Sequence, residues 1–490
     1  MKTIADLEMT RRHLLLLGVT ATMTAAFIDR ADAATMKFSH ILGRPTDRSI
    51  ALSVLASSAS SAYVEYGLAT TKVAGKTKVL KLSAATPLVF ELSGLQSSSR
   101  YFYRLRYKAP GSSKYAAGVW HSFSTAKSAG NAFSFTVHGD THPERAGKMF
   151  NAALYAVTLR NVLQQQPDFH ILMGDDFSID PLISKKQATK ANVEKVYATH
   201  RNWLAAAGAS VPIYLVNGNH EQAAAYLLDG SASSPAVLAA NARLKYFPLP
   251  TTNDFYTADK TKVANVGELR DYYSWSWGDA TFITLDPYWH SSKAVDNVAG
   301  VTVDSTGGKK GAGKTSNLWQ VGIGDEQYAW FKQVLETSTS KYIFVFAHHV
   351  LGTGRGAVEI SYNYEWGGKD PSGKTTFAEQ RPNWELPIHD LMVKHGVSIF
   401  FQGHDHIFVT QERDGVIYQA MPNPADDTFT MFNDDAYKSG VKSPNSGHVR
   451  VSVEQDQAIV EYFLAARPTD TARKNLEIAH TYVVKPRTLS

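Results

Sequence analysis

The chain has 490 residues, of which 44% are hydrophobic and 19% charged, and its formal net charge is +5. This length predicts two or three domains of ordinary globular composition. The chain contains no cysteine, which excludes disulfides and thiolate metal ligands, and without a clustered basic run the charge gives no support to nucleic-acid binding.

The first 34 residues have the features of an export signal rather than of a folded segment. Arg11 and Arg12 precede an apolar stretch that runs to Ile28, and residues 31–33 form a small-x-small cleavage site. The arginine pair favours a twin-arginine signal over a general secretory one. We therefore expect export by the twin-arginine machinery to the periplasm or the exterior. No later stretch has the ~18 unbroken apolar residues of a transmembrane segment.

Residues 36–126 are predicted to form an all-β sandwich. Short segments with alternating inward and outward residues are separated by Gly, Ser and Pro clusters, the clearest being 49–55, 61–67 and 101–107. The stretch from Leu95 to Arg104 resembles the late strand of a fibronectin type III module. Residues 127–131 form a candidate linker to the next domain.

Residues 132–488 show a different pattern, in which apolar strand-like runs alternate with stretches of helical periodicity. The predicted strands are 133–138, 169–173, 211–216, 341–347 and 397–401. Because these runs are almost uniformly apolar, they fit a sheet that helices cover on both faces. The predicted fold class is an N-terminal all-β sandwich followed by an α/β domain.

A short polar cluster follows each of these five predicted strands. The clusters are Gly139–His142, Gly174–Asp176, Gly218–Glu221, His348–His349 and Gly403–His406. Open α/β sheets bind ligands at the carboxyl ends of their strands, so we expect the five clusters to meet at one site. Imidazole, carboxylate and amide donors without sulfur suit Fe, Mn, Zn or Co rather than Ca or Mg alone. Two bridged ions of this kind can orient a phosphoryl group and activate water.

The ordered clusters resemble those of the calcineurin-like metallophosphoesterase superfamily. With the preceding β-sandwich they are most similar to its purple acid phosphatase-like branch, over residues 36 to 485. This resemblance implies a catalytic domain with two packed sheets flanked by helices, in four layers. It also implies a hydrolase that binds two divalent or trivalent metal ions and cleaves phosphate esters by attack of a metal-bound hydroxide.

The resemblance further implies roles for individual residues. The expected metal ligands are Asp140, His142, Asp175, Asn219, His348, His404 and His406. Asp175 is expected to bridge the two ions. His220 is expected to be the catalytic residue, as an acid or phosphate donor rather than a ligand, and His349 and Arg355 are candidate substrate contacts.

Position 178 departs from the purple acid phosphatase pattern. Ser178 stands where those enzymes have a ligand tyrosine, so no tyrosinate colour is expected. Ser178 also cannot serve as a carboxylate partner for His220, which leaves Asp176 and Asp180 as alternatives. The remaining isolated histidines are interpreted as ordinary core or surface residues, and they are His138, His170, His200 and His290.

Two other functions are consistent with parts of the sequence. Residues 308–315 match the Walker A pattern of a P-loop nucleotide-binding protein, but Gly322 and Gly324 argue against the helix that this loop needs directly after it. A non-catalytic β-sandwich binding protein is the other alternative. It would not need all seven expected ligands, and its metal content would distinguish it from the enzyme.

Overall fold

The structure, a computed structural model, describes residues 36–291, 293–295, 302–303, 309–310, 317–350 and 354–488. The predicted export signal at residues 1–34 lies outside the described residues. The same holds for all of the Walker-like octet except Lys309 and Lys310.

The N-terminal region is a sandwich of two antiparallel sheets, as the alternating segments predict. Its strands are β1 Phe38–Gly43, β2 Ser49–Ala56, β3 Ser60–Gly67, β4 Gly75–Lys76, β5 Leu80–Leu82, β6 Leu88–Ser93, β7 Arg100–Lys108, β8 Ala116–Ala117 and β9 His121–Ser124. One sheet has the order β1-β2-β6, and the other has β4-β3-β7-β8 with β5 on β3 and β9 on β7. Leu52 and Phe90 of the first sheet share one core cluster with Val64 and Tyr103 of the second.

Buried polar contacts join this sandwich to the α/β region. The Arg201 side chain is buried, and its Nη2 donates to the carbonyl oxygens of Ser53 at 2.7 Å and Ser39 at 3.2 Å. The hydroxyl of Tyr103 donates to the carbonyl of Ala209 at 2.7 Å. A buried guanidinium needs such acceptors, so these contacts fix the sandwich against the helix that carries Arg201.

The α/β region contains two large sheets. Its strands are β10 Phe133–His138, β11 Phe169–Leu172, β12 Ile213–Leu215, β13 Thr257–Ala258, β14 Lys262–Val263, β15 Gly267–Glu268, β16 Tyr273–Trp277, β17 Ala280–Thr284, β18 Thr302–Val303, β19 Lys309–Lys310, β20 Tyr342–Phe346, β21 Ile399–Gln402, β22 Phe408–Arg413, β23 Val416–Ala420, β24 Val441–Ser443, β25 Gly447–Val453, β26 Ala458–Leu464 and β27 Ile478–Val484. All five predicted strands are present among them, as β10, β11, β12, β20 and β21.

The five strands belong to different sheets. β10, β11 and β12 are parallel neighbours in a six-stranded sheet of order β12-β11-β10-β25-β26-β27. β20 and β21 are parallel neighbours in an eight-stranded sheet of order β13-β16-β17-β20-β21-β23-β22-β24. The sheets share an apolar core, in which the Phe135 ring lies 5.3 Å from that of Phe344.

Helices cover the outer faces of both sheets and complete four layers. They are α1 Ala152–Gln165, α2 Asp180–Ser184, α3 Lys190–Gly208, α4 Pro235–Tyr246, α5 Gly324–Thr337, α6 Tyr364–Gly367, α7 Phe377–Gln380 and α8 Ile388–Lys394, with 3-10 turns at Pro143–Arg145, Ala225–Leu227, Leu318–Gln320 and Asp434–Ala436. α1, α3 and α4 pack on the six-stranded sheet, and α5 and α8 pack on the eight-stranded sheet.

Side-chain caps explain where two of the longer helices begin. Asn151 accepts backbone N–H bonds from Ala153 and Leu154 ahead of α1, and Thr189 caps α3 in the same way. α5 begins at Gly324, beyond the Walker-like octet. Among the described residues, none of the helices combines the length and apolar character needed to cross a membrane.

Candidate metal centre

The polar clusters after the strands are held in tight turns with unusual backbone conformations. Asp140, His142, Asp175, His404 and His406 all have positive φ, between 47° and 70°. Non-glycine residues rarely adopt this left-handed region, and such strain is concentrated at functional sites because the surrounding structure must enforce it. Five of the seven expected ligands therefore occupy enforced conformations.

Two glycines allow these turns to approach one another closely. Gly174 has a φ of 97°, and a Cβ there would lie 2.6 Å from the backbone nitrogen of Gly218. A Cβ on Gly403 would lie 2.7 Å from Oδ2 of Asp140. Both positions exclude a side chain, because it would separate the turns that carry the ligands.

The first group of potential ligands contains Asp140, His142, Asp175 and His406, all of which are buried. Nε2 of His142 lies 3.1 Å from Nε2 of His406 and 3.5 Å from Oδ2 of Asp175. Nε2 of His406 lies 3.5 Å from Oδ1 of Asp140. Three of the expected ligands, together with the expected bridge Asp175, thus lie together.

The second group also adjoins Asp175. Nε2 of His348 is 3.2 Å from Oδ2 of Asp175 and 3.0 Å from Oδ1 of Asn219. That amide oxygen is also 3.1 Å from Nδ1 of His404. Asp175 is therefore next to both groups, in the position expected of a bridging carboxylate.

The electrostatics of the two groups suit bound cations. Burial lowers the pKa of both His142 and His406, which favours the neutral imidazole that a metal ligand needs. Burial, the largest single effect, also lowers the pKa of His348, but the carboxylates of Asp175 and Asp140 and the carbonyl of Met173 together outweigh it and raise the pKa to about 10. The donor set is imidazole, carboxylate and amide oxygen, which fits transition-metal ions.

Acceptors outside the two groups orient two of the imidazoles. Nδ1 of His142 pairs with Oε1 of Glu144 at 2.8 Å, and Nδ1 of His348 pairs with the carbonyl of Met173 at 2.7 Å. Metal-binding histidines commonly use one ring nitrogen in this way, which directs the other toward the ion. Sequence reasoning did not identify Glu144, although its position two residues after His142 was a usable signal.

His220 lies beside the first group, with a ligand atom within 4.8 Å of those of His142 and Glu144, but its closest partners are different. Its Nδ1 pairs closely with Oδ2 of Asp180, and Nη2 of Arg145 lies 3.0 Å from its Nε2. Burial lowers the pKa of His220, but Asp175 and Asp180 outweigh this effect and raise it to about 9. The guanidinium of Arg145 and the imidazole of His220 thus lie side by side, an arrangement suited to an anion.

The carboxylate partner that the sequence left open is Asp180 rather than Asp176. Asp176 is buried and accepts a close hydrogen bond from the hydroxyl of Thr141 instead. Neither Asp180 nor Arg145 was singled out with a definite role from the sequence. Arg145 ends the 3-10 turn that follows His142, and that turn brings it to His220.

Glu221, the last residue of the third polar cluster, received no role from the sequence, yet it joins two of the turns. Its Oε1 accepts the backbone N–H groups of Asp176 at 2.7 Å and Phe177 at 2.9 Å. Its Oε2 accepts those of Asp175 at 2.9 Å and Gly218 at 2.8 Å. One buried carboxylate therefore holds the turn after β11 against the turn after β12.

The two predicted substrate contacts lie next to the second group. The ring of His349 stacks on that of His404 at 4.5 Å, and its Nδ1 lies 3.2 Å from the hydroxyl of Tyr288. Nη1 of Arg355 donates to the carbonyl of His404 and, at 3.1 Å, to Oδ1 of Asp405. Arg355 is thus engaged with the turn that carries His404, and its contact with substrate stays a prediction.

Three of the isolated histidines are core residues, as expected. His138, His170 and His200 are buried, and burial lowers the pKa of each, to about 3 for His170 and His200. His290 differs from these three residues because it pairs with a carboxylate: its Nε2 lies 3.0 Å from Oδ2 of Asp271.

Comparison with known proteins agrees with this geometry. A family model described as calcineurin-like phosphoesterase matches residues 133–408. The solved structure of PhoD has a TM-score of 0.63 and 15% identity, covering 91% of this chain and 90% of that chain. Purple acid phosphatase PPD1 from yellow lupin seeds has a TM-score of 0.58 and 14% identity, covering 91% of this chain and 74% of that chain. At these identities the two structures support the fold alone. No curated protein matches the sequence.

Proposed function

The chain belongs to the calcineurin-like phosphoesterase family of metal-dependent phosphoesterases, and we propose that it hydrolyses phosphate esters at a centre of two metal ions. The position of Asp175 carries this proposal. Its Oδ2 lies 3.5 Å from Nε2 of His142 and 3.2 Å from Nε2 of His348, which belong to the two separate ligand groups. A carboxylate between two ligand groups offsets the repulsion between two cations.

Seven residues would hold the ions. The first would be held by Asp140, His142 and His406, the second by Asn219, His348 and His404, and both by Asp175. Bound ions of Fe, Mn, Zn or Co would polarise the phosphoryl group and lower the pKa of a bound water. The chain itself holds these ligands in turns that Gly174 and Gly403 allow to approach one another.

His220 and Arg145 would bind the phosphoryl oxygens and assist the leaving group. Asp180 holds Nδ1 of His220 and favours the protonated imidazole, which can donate a proton from Nε2 to a departing alkoxide. Arg145 lies 3.0 Å from that nitrogen and adds a fixed positive charge. Both features fit a dianionic or monoanionic phosphate ester better than a neutral substrate.

We further propose that the enzyme acts outside the cytoplasm. This proposal rests on Arg11 and Arg12 ahead of the apolar stretch that ends at Ile28. We also propose that the β-sandwich has a structural role, because Arg201 joins it to the catalytic region.

The proposal is tested with Asp175→Asn in the full chain, with Asp254→Asn as the control because Asp254 is exposed. Metal content is measured by elemental analysis, and turnover with a nitrophenyl phosphate monoester and the matching diester. Loss of a residue that only orients a ligand lowers metal affinity ~10–100-fold. Loss of the bridging carboxylate should therefore lower the affinity further and decrease the occupancy of both metal sites. Asp175→Asn with two ions and full turnover would refute the proposal. The two esters separate phosphatase from phosphodiesterase activity.

A further inference from the structure

A third group of potential metal ligands lies outside the five strand-end clusters. It consists of Asp259, Asp271 and His290, whose ligand atoms all lie within 4.8 Å of one another. Nε2 of His290 is 3.0 Å from Oδ2 of Asp271 and 4.0 Å from Oδ2 of Asp259. The two aspartates are 1% and 2% exposed. These residues come from the end of β13, the segment before β16 and the segment after β17.

The charges of this group are not balanced by its own members. One imidazole faces two buried carboxylates, and Oδ2 of Asp259 is buried without a hydrogen-bond partner. The other oxygen, Oδ1, accepts the backbone N–H of Thr261 at 2.8 Å. Asp286 is also fully buried, and its Oδ2 has no hydrogen-bond partner either. Because a buried carboxylate oxygen is costly when unpaired, the group favours an additional cation.

The spacing of the group is close to that required by a small divalent ion. Bonds of ~2.0–2.2 Å at a tetrahedral centre place ligand atoms roughly 3.3–3.6 Å apart. The distances of 3.0 and 4.0 Å from Nε2 of His290 lie on either side of that range. Asp259 also lines an open cleft of about 570 Å³ together with Tyr272 and Glu326, so the group lies next to solvent-accessible space.

We propose that Asp259, Asp271 and His290 form an additional metal site, separate from the two-ion centre, that binds a divalent transition-metal ion such as Zn²⁺ or Mn²⁺. One imidazole with two carboxylates is a mixed nitrogen and oxygen donor set, which favours these ions over Ca²⁺ with its preference for oxygen ligands alone. Water from the cleft completes the coordination.

An ion at this site would stabilise the segment from Asp286 to His290, which contacts His349 in the catalytic region. Oδ1 of Asp286 accepts the backbone N–H groups of Tyr288 at 2.7 Å and Trp289 at 3.1 Å, which forms the turn before His290. The hydroxyl of Tyr288 lies 3.2 Å from Nδ1 of His349. An ion bound by His290 therefore fixes one end of the segment that contacts His349 at its other end.

The direct test is anomalous scattering from crystals of the full chain soaked separately in Zn²⁺ and Mn²⁺. A peak within bonding distance of Asp259, Asp271 and His290 is the expected result with at least one of the two ions. Peaks restricted to the two-ion centre would overturn the proposal. Because the peak is read at the group itself, this result does not depend on whether the catalytic proposal holds.

Metal binding in solution gives a second test. In equilibrium dialysis, Asp259→Asn should bind one ion fewer per chain than the unmodified protein, whereas the exposed control Asp254→Asn should bind the same number. Circular dichroism and the melting temperature in the presence of a chelator establish that the variants are folded. Equal metal content in both variants and in the unmodified protein would overturn the site, as would binding of Ca²⁺ in place of Zn²⁺ and Mn²⁺.

Discussion

Replacement of Glu221 by glutamine should destabilise the protein, although the two side chains have nearly the same shape. The carboxylate accepts four backbone N–H groups, two on each oxygen, from residues 175–177 and Gly218. In Glu221→Gln, one oxygen becomes an NH₂ group that faces two N–H donors and can accept neither. Two hydrogen bonds to a charged acceptor are therefore lost, and two buried donors are left unsatisfied.

The magnitude follows from the number of bonds. A hydrogen bond to a charged group contributes ~1.5–3 kcal/mol, so the loss of two predicts a decrease of about 3–6 kcal/mol in the free energy of unfolding. Burial raises the pKa of Glu221, and the N–H donors of Asp175 and Phe177 oppose that rise. Total stabilities of ~5–15 kcal/mol make such a loss easy to measure.

The assay is urea-induced unfolding of the full chain in the presence of a chelator, so that metal binding does not contribute. Glu379→Gln is the matched control, because Glu379 is exposed in α7 and its replacement should change the free energy of unfolding by less than ~0.5 kcal/mol. A decrease below ~1 kcal/mol for Glu221→Gln would refute the idea that this carboxylate holds the two turns together.

The other predictions concern catalysis, the Walker-like octet and export. His220→Ala should retain both metals and lose ~10²–10⁴-fold in kcat on an alkyl phosphate. The loss should be far smaller on a nitrophenyl phosphate, because its leaving group needs little proton donation. Loss of a metal from this variant would instead indicate that His220 is a ligand. Asp180→Asn should show the same dependence on leaving group with a smaller loss, and equal losses on both esters would contradict its pairing role. Lys314→Ala should keep near-full esterase activity, and a large loss of tight ATP binding would support the P-loop alternative. Lys in place of both Arg11 and Arg12 should leave the precursor inside the cell, whereas unchanged export would indicate a general secretory signal.

Local sequence was sufficient to predict the α/β strands and the polar clusters that follow them. An almost uniformly apolar run such as 342–346 can be stable only when both of its faces are covered, so its pattern indicates a buried strand. Polar residues such as His348 directly after such a run must lie at the end of the sheet. Family resemblance then assigned individual ligands, and the structure brings all seven together. The domain limits at 36–126 and 132–488, the export signal and the residue roles stay predictions.

Only the tertiary structure determined which partners surround those residues. Asp176 and Asp180 are equally plausible partners for His220 along the chain, but Asp180 begins α2, and this position directs its carboxylate to His220 while Asp176 pairs with Thr141. Arg355, which is expected to contact substrate, donates a hydrogen bond to Asp405. His290 has no distinguishing neighbour in sequence, yet β-sheet pairing brings Asp259 and Asp271 to it.

The physical reason is that sequence periodicity reports whether a segment is buried, and not which segment covers it. β10, β11 and β12 have the same apolar character as β20 and β21, yet the two sets lie in separate sheets. The order of strands in each sheet, and the packing of Phe135 against Phe344 between the sheets, decide which loops become neighbours. Contacts such as Asp175 with His348, 173 positions apart in the chain, therefore arise only when both sheets have formed.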